Sequence, residues 1–207
     1  MEVYRMMAGV YAANCYIVYD ENKNGFIVDP GGDFSDIDAS LNDLGVHLKF
    51  ILLTHGHGDH IGAVKPFIEK YKIPIYASAL EKELLANPEI NLTKRMPSAE
   101  ISITDYIEVN DGDVIENSGF SIEVFATPGH TAGSVCYKAE DNLFTGDTLF
   151  MGSIGRSDLP TSSTDDLMLS LKEKIMPLDP KTKVYPGHGR ETTLSYEFKT
   201  NPFLLKL

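Results

Sequence analysis

Phe50-Ile51-Leu52-Leu53-Thr54-His55-Gly56-His57-Gly58-Asp59-His60 is the stretch that decides how this chain is built. Its first four residues form a continuous apolar run, the pattern of a strand buried on both faces in a layered α/β protein. At the exit of that strand stand three histidines and an aspartate. Gly56 and Gly58 alternate with them and, lacking a Cβ, permit a tight irregular turn in which side chains two residues apart converge. The spacing is unlike the helical His-Glu-x-x-His pattern, where two histidines four apart share one helix face.

The same placement recurs further along. His130 follows the strand candidate Ser121–Ala126, His188 follows Lys183–Tyr185, and Asp147 ends the strand candidate Leu143–Thr145 in Thr145-Gly146-Asp147. Of the six histidines in the chain, only His47 falls outside this pattern. Open α/β sheets gather their functional groups at strand exits. Imidazole and carboxylate together are the donor set of Zn²⁺, Fe²⁺ or Mn²⁺. A catalytic ion keeps about three protein ligands and an open position. Seven candidates therefore suit two ions that share a bridge. A hydrogen-bonded turn residue would account for any one of these histidines, but not for all five.

Outward from the motif, Cys15–Tyr19 and Phe26–Asp29 read as a hairpin around the turn-forming segment 21–25. Val135–Lys138 is a further strand candidate. Ser35 is expected to cap a helix that buries Ile37, Leu41 and Leu44 and stops at Gly45. Ser78 and Glu81 have capping-box spacing ahead of Leu84 and Leu85. Pro66 suits the first turn of a helix reaching about Lys72, and Ser163 or Thr164 caps one that buries Leu167, Leu171 and Ile175. The run ending Phe26-Ile27-Val28-Asp29 is echoed by Leu143-Phe144-Thr145-Gly146-Asp147, consistent with two βαβ-rich halves facing each other. Tyr11, Tyr16, Tyr106 and Tyr137 are read as core, and the segment 87–97 as a candidate cover for the site.

The chain has 207 residues, 43% hydrophobic and 23% charged, an ordinary globular balance that fits a single domain over 1–207. Its 18 Lys+Arg against 30 Asp+Glu give a net charge of −12, which disfavours nucleic acid and anionic membrane as partners. Cys15 and Cys136 are too few and too distant for a disulfide framework and read as free, buried thiols. With no targeting segment and no spanning stretch, a soluble, cytoplasmic protein is expected.

At the metal-ligating residues the sequence resembles the metallo-β-lactamase superfamily, whose signature Thr-His-x-His-x-Asp-His precedes a distant His, Asp and His in that order. The resemblance runs from Thr54 to His188. It implies a four-layer αββα sandwich with the metals at one edge. It also implies that His55, His57 and His130 hold one ion, that Asp59, His60 and His188 hold the other, and that Asp147 bridges them. Zn²⁺ is the first expectation for both ions. True β-lactamases of the superfamily carry Cys where this chain has Asp147 and typically lack its His60, which argues against an antibiotic hydrolase. Flavodiiron members place Glu where this chain has His57. The nucleases insert a domain where this chain has only residues 148–187.

Thr145-Gly146-Asp147-Thr148-Leu149-Phe150, Gly152–Pro160, His130–Ser134 and the ending Thr200-Asn201-Pro202-Phe203-Leu204 look like the short bacterial glyoxalase II-like group. That group hydrolyses thioesters of glutathione with 2-hydroxy acids. The resemblance implies a small-molecule thioester as substrate and attack by a metal-bridging hydroxide that Asp59 orients. Arg156 falls where the family has a glutathione-binding Lys and Arg190 where it has a glutathione-contacting Tyr, so both are expected to bind substrate. Arg156 paired with Asp158 is the plainer reading of that residue. The helical glutathione-binding domain of full-length members has no counterpart here. A persulfide dioxygenase with one Fe²⁺ on His57, His130 and Asp147 is the nearest rival, lactone hydrolysis the next, and a non-catalytic metal-bearing interaction protein the last. Oligomeric state is open.

Overall fold

A computed structural model describes residues 1–9, 11–97 and 100–207. The chain forms two compact units, Met1–Ala77 with Lys82–Glu108, and Ser78–Glu81 with Val109–Leu207. Each carries a mixed six-stranded sheet and its own helices, in keeping with the α/β reading.

In the first unit the sheet runs β1 (Glu2–Ala8), β2 (Ala13–Tyr19), β3 (Asn24–Val28), β4 (His47–Leu52), β5 (Ile75–Ser78) and β6 (Ile107–Val109) in spatial as in chain order. The expected hairpin is β2–β3, paired Tyr16↔Val28 through Tyr19↔Gly25. A crossover through α1 (Phe34–Leu44) then makes β4 parallel to β3. Phe50, Ile51, Leu52 and Leu53 are all buried, as a strand covered on both faces requires. Ile37 and Leu41 of α1 pack with Val64 and Phe67 of α3 (Val64–Tyr71) against Ile17, Ile27 and Ile51. Between β4 and α3 lies the one-turn helix α2 (Gly58–Ile61).

In the second unit the order is β14 (Thr192–Thr193), β13 (Lys183–Pro186), β10 (Asn142–Gly146), β9 (Val135–Ala139), β8 (Phe120–Ala126) and β7 (Val114–Asn117). Helix α5 (Thr164–Ser170) passes into a π-helical turn over Leu171–Ile175. Leu167, Leu171 and Ile175 are fully buried with Leu143 and Val184. Hairpin β11–β12 (Leu149–Phe150 and Ser153–Ile154) and helix α6 (Leu194–Thr200) complete this unit. The internal echo is real at the level of topology. An antiparallel hairpin, β2–β3 or β9–β10, is followed by a crossover to a parallel strand, β4 or β13. Asp29 and Asp147 leave the matching strands of the two units.

Three local expectations need correction. Ser35 lies inside α1, whose N-cap is Asp33 with no side-chain cap bond, while Gly45 ends the helix in the left-handed conformation as expected. Ser78 Oγ does accept from the Leu80 amide, but α4 (Lys82–Ala86) starts one 3₁₀ turn later. The Glu81 carboxylate does not close a capping box. Its Oε1 accepts from Thr131 Oγ1 at 2.6 Å and from the Gly133 amide at 2.9 Å, two donors that satisfy a buried carboxylate oxygen. Tyr11 is exposed, whereas Tyr16 and Tyr137 are core and Tyr106 is partly buried. Cys15 and Cys136 are fully buried, and burial pushes both thiols up, Cys136 to about 11.

Candidate metal centre

In the first unit the candidate ligands hang on the exit of β4 and on α2. His55, His57 and His60 are buried and Asp59 is half-buried. The rings of His55 and His57 meet edge to face at 4.9 Å between centroids, and those of His55 and His60 lie 4.2 Å apart. Asp59 Oδ2 stands 3.8 Å from His60 Nε2. Neither Gly56 nor Gly58 has a positive φ, so what the turn uses at Gly58 is the missing Cβ and not a left-handed backbone. Gly58 opens α2, and a Cβ on it would crowd Thr93 and Met96. The Gly58 amide donates to Asn91 O at 2.8 Å, which ties the segment 87–97 to the ligand turn.

Asp29 organises these histidines, although nothing in its local sequence marks it as a functional residue. Its Oδ1 accepts from the Thr54 amide (2.8 Å), and its Oδ2 accepts from Thr54 Oγ1 (2.6 Å) and faces His60 Nδ1 at 2.9 Å. A carboxylate that takes two donors from Thr54 takes a third from the imidazole, so Nδ1 of His60 carries the proton. Thr54 Oγ1 gives its own proton to Asp29 and therefore accepts from His55 Nδ1 at 3.1 Å. One buried carboxylate thus sets the tautomer of His60 directly and of His55 through Thr54. In both rings the lone pair is left on Nε2, the arrangement by which outer groups orient metal-ligating histidines. Asp29, His55 and His60 also form a close cluster of potential ligand atoms. Because Asp29 is already committed to these donors, we read that cluster as a hydrogen-bonded network around the ligands.

In the second unit, His130, Asp147 and His188 leave β8, β10 and β13. Asp147 Oδ2 lies 3.5 Å from His130 Nε2 and 3.6 Å from His188 Nε2. Two atoms bound tetrahedrally to one ion at ordinary metal–ligand lengths are about 3.4 Å apart. The spacing on either side of Asp147 therefore fits a carboxylate that serves both neighbours. His130 Nδ1 faces the Arg156 carbonyl at 2.8 Å, and since that oxygen only accepts, His130 also carries its lone pair on Nε2. The close approach is made by Gly155, where a Cβ would overlap the Asp147 carbonyl. The His130 turn is held by Ser162 Oγ donating to His130 O (2.6 Å) and by the Ser163 amide donating to Gly129 O (2.8 Å).

The donor set fits divalent ions: imidazole nitrogens with fixed tautomers and carboxylates at ligand spacing. Arg156 is exposed and its guanidinium is held bidentately by Asp158, at 2.7 and 2.9 Å, so the plainer pairing is present. Arg190 is exposed and has no ion pair among the described residues.

The sequence profile of the metallo-beta-lactamase superfamily matches residues 8–188. Hydroxyacylglutathione hydrolase GloC of Haemophilus influenzae is 33% identical, over 94% of this chain and 93% of that protein. Among solved structures, the BLEG-1 B3 metallo-beta-lactamase superposes with a TM-score of 0.92 at 37% identity, covering 98% of this chain and 99% of that one. TTHA1623, solved in a di-iron-bound form, superposes with a TM-score of 0.87 at 34% identity, covering 98% and 100%. The expected fold class is borne out by these likenesses.

Proposed function

The chain belongs to the metallo-beta-lactamase superfamily, whose members are metal-dependent hydrolases, and on that premise we propose that it hydrolyses thioesters of 2-hydroxy acids. The observation that supports it is the fixed tautomer of His55, His60 and His130. Each spends Nδ1 on an internal acceptor and keeps the Nε2 lone pair for a ligand role. Under this reading His55, His57, His130, Asp59, His60, His188 and Asp147 hold two divalent ions, zinc first, with iron raised by the di-iron relative. When bound, such ions supply Lewis acidity and water ionised near neutral pH.

The chain's own residues do the rest. Asp59, half-buried beside His60, accepts a hydrogen bond from the attacking water and aims its lone pair. Arg156 and Arg190 receive the anionic end of the carrier thiol, and Asp158 presents the Arg156 guanidinium in one orientation. Water oxygen bonds to the acyl carbon, the C–S bond breaks, and the products are the 2-hydroxy acid and the free thiol. The substrate is a small molecule, the compartment cytoplasmic, and neither nucleic acid nor membrane is a partner; among the described residues no helix is long and apolar enough to cross a membrane.

Thiol release from S-D-lactoylglutathione by the metal-replete protein tests this, with His55→Ala as the control that loses turnover. Full turnover in His55→Ala would sink it. A second reading, β-lactam hydrolysis, is raised by the likeness to BLEG-1. Asp147 and His60 argue for the thioester, and a chromogenic cephalosporin run in parallel separates the two. Elemental analysis of the purified protein identifies the metal.

A further inference from the structure

We infer that Glu197, on α6, is a positioning residue that fixes the spacing of Asp147 and His188. Glu197 is fully buried, and its two carboxylate oxygens reach different segments. Oε2 accepts from the Gly152 amide at 2.8 Å, on the turn of hairpin β11–β12 that follows Asp147. Oε1 accepts from Thr192 Oγ1 at 2.7 Å, on β14, which follows His188. One side chain therefore ties the segment downstream of each ligand to the other.

Asn201, also fully buried, reinforces the first of these ties. Its Nδ2 donates to Glu197 Oε2 (2.9 Å) and to Ser153 O (3.0 Å), with a longer approach to Phe150 O (3.4 Å). Asn201 Oδ1 accepts from the Phe203 amide at 3.0 Å, which sets the chain direction beyond α6. The ending Thr200-Asn201-Pro202-Phe203-Leu204 thereby acquires a physical role. The ring of Phe150, on the strand just before Gly152, meets that of His188 edge-on at 6.1 Å. The amide of Gly187, next to His188, donates to the carbonyl of Gly146, next to Asp147, at 2.7 Å. Glu197 closes the far end of the frame that this bond begins.

A glutamine can satisfy the same partners. Its carbonyl can accept from Gly152 and Asn201, while its amide donates to Thr192 Oγ1, which also accepts. Alanine satisfies none of them. Zn²⁺ affinity, measured by competition with a chelating dye, should therefore fall by roughly 10- to 100-fold in Glu197→Ala, the usual effect of losing a group that orients ligands. Glu197→Gln should stay within about threefold of the wild type. Amide exchange reports the cause: Gly152 should be protected in the wild type and in Glu197→Gln, and fast in Glu197→Ala.

A folded Glu197→Ala protein with wild-type zinc affinity overturns the inference, as does a Glu197→Gln protein that loses as much as the alanine variant. If Glu197→Ala does not fold, Thr192→Val and Asn201→Ala each remove one partner and should lower affinity several-fold; no change in either also overturns it. The inference rests on the metal-binding part of the proposed function alone. Wild-type protein that binds zinc but releases no thiol fails the thioester reading and leaves Glu197 standing. Wild-type protein that binds no zinc fails both.

Discussion

Asp29 shows what a single residue can decide and why a linear reading passes over it. In sequence it is one more acidic residue at the end of a strand. Its partners Thr54 and His60 stand 25 and 31 positions further on, so its role exists only once β3 and β4 lie side by side. The seven ligand candidates were legible because His is scarce and the motif concentrates it. Asp29 was not, because Asp is common. Asp29→Asn is nearly isosteric, yet no orientation of the amide serves every partner. With its oxygen on the Thr54 amide, its NH₂ meets Thr54 Oγ1 and His60 Nδ1 and drives the His60 proton to Nε2. Turned the other way, it sets a donor against a donor. Zinc affinity should fall by about 10- to 100-fold in Asp29→Asn. Thr54→Val, which cuts only the path to His55, should lose less. Equal losses in a dye-competition titration would mean that Asp29 does not act through the tautomers.

The two thiols are a second matter of single residues. Burial raises both, Cys136 to about 11 from an unfolded value of 9.0. A raised value means the stabilisation is full below pH 9 and is lost as the pH climbs through the folded value, because the unfolded chain ionises first. At pH 8 a maleimide should label neither cysteine until the protein unfolds. Prompt labelling of the native protein would contradict the packing of β2 and β9.

Among the elements, strands covered on both faces announced themselves, and β1 did not. Phe50–Leu53 is apolar at every position because every position is buried, whereas β1 alternates irregularly between exposed and half-buried residues. The two- to four-residue strands β5, β6, β7 and β14 carry too little pattern to read, and their existence depends on the strand beside them. The helix over 164–175 was legible from its cap and its apolar spacing, and Ser163 Oγ does accept from the Asp166 amide. Its dependence on Gly129 was not legible. Gly129 sits at φ +142, and a Cβ there would overlap the backbone of Leu167. Gly129→Ala must strain the backbone and push α5 away from the turn that carries His130. A loss above about 2 kcal/mol is expected, together with weaker zinc binding. Leu167→Ala, which leaves a cavity instead of a clash, should cost about 2–5 kcal/mol and affect zinc less. Urea midpoints read the first quantity and dye competition the second; a neutral Gly129→Ala would show that the helix does not rest on this turn.

For the molecule as a whole, the net charge of −12 turns metal binding into a stability question. The carboxylates Asp59 and Asp147 stand 3.5–3.8 Å from the Nε2 atoms of His60, His130 and His188, so a divalent ion held there adds favourable charge to an acidic chain. Any ion that binds only the folded chain stabilises it by mass action, about 2.7 kcal/mol for each site at a hundredfold excess over Kd. For a chain of this length that corresponds to a rise in Tm of roughly 5–10 °C per site. Stripping the protein with a chelator should therefore lower Tm by at least that much, and zinc should restore it. Asp147→Ala, which removes the carboxylate flanked by His130 and His188, should lose most of the shift. Added sodium chloride gives a further discrimination, since it screens repulsion among acidic groups but cannot replace a coordinated ion. Salt should raise the Tm of the stripped protein more than that of the loaded one, without closing the gap between them. A gap that salt closes completely would mean that the histidines and aspartates form an acidic patch and not a metal centre.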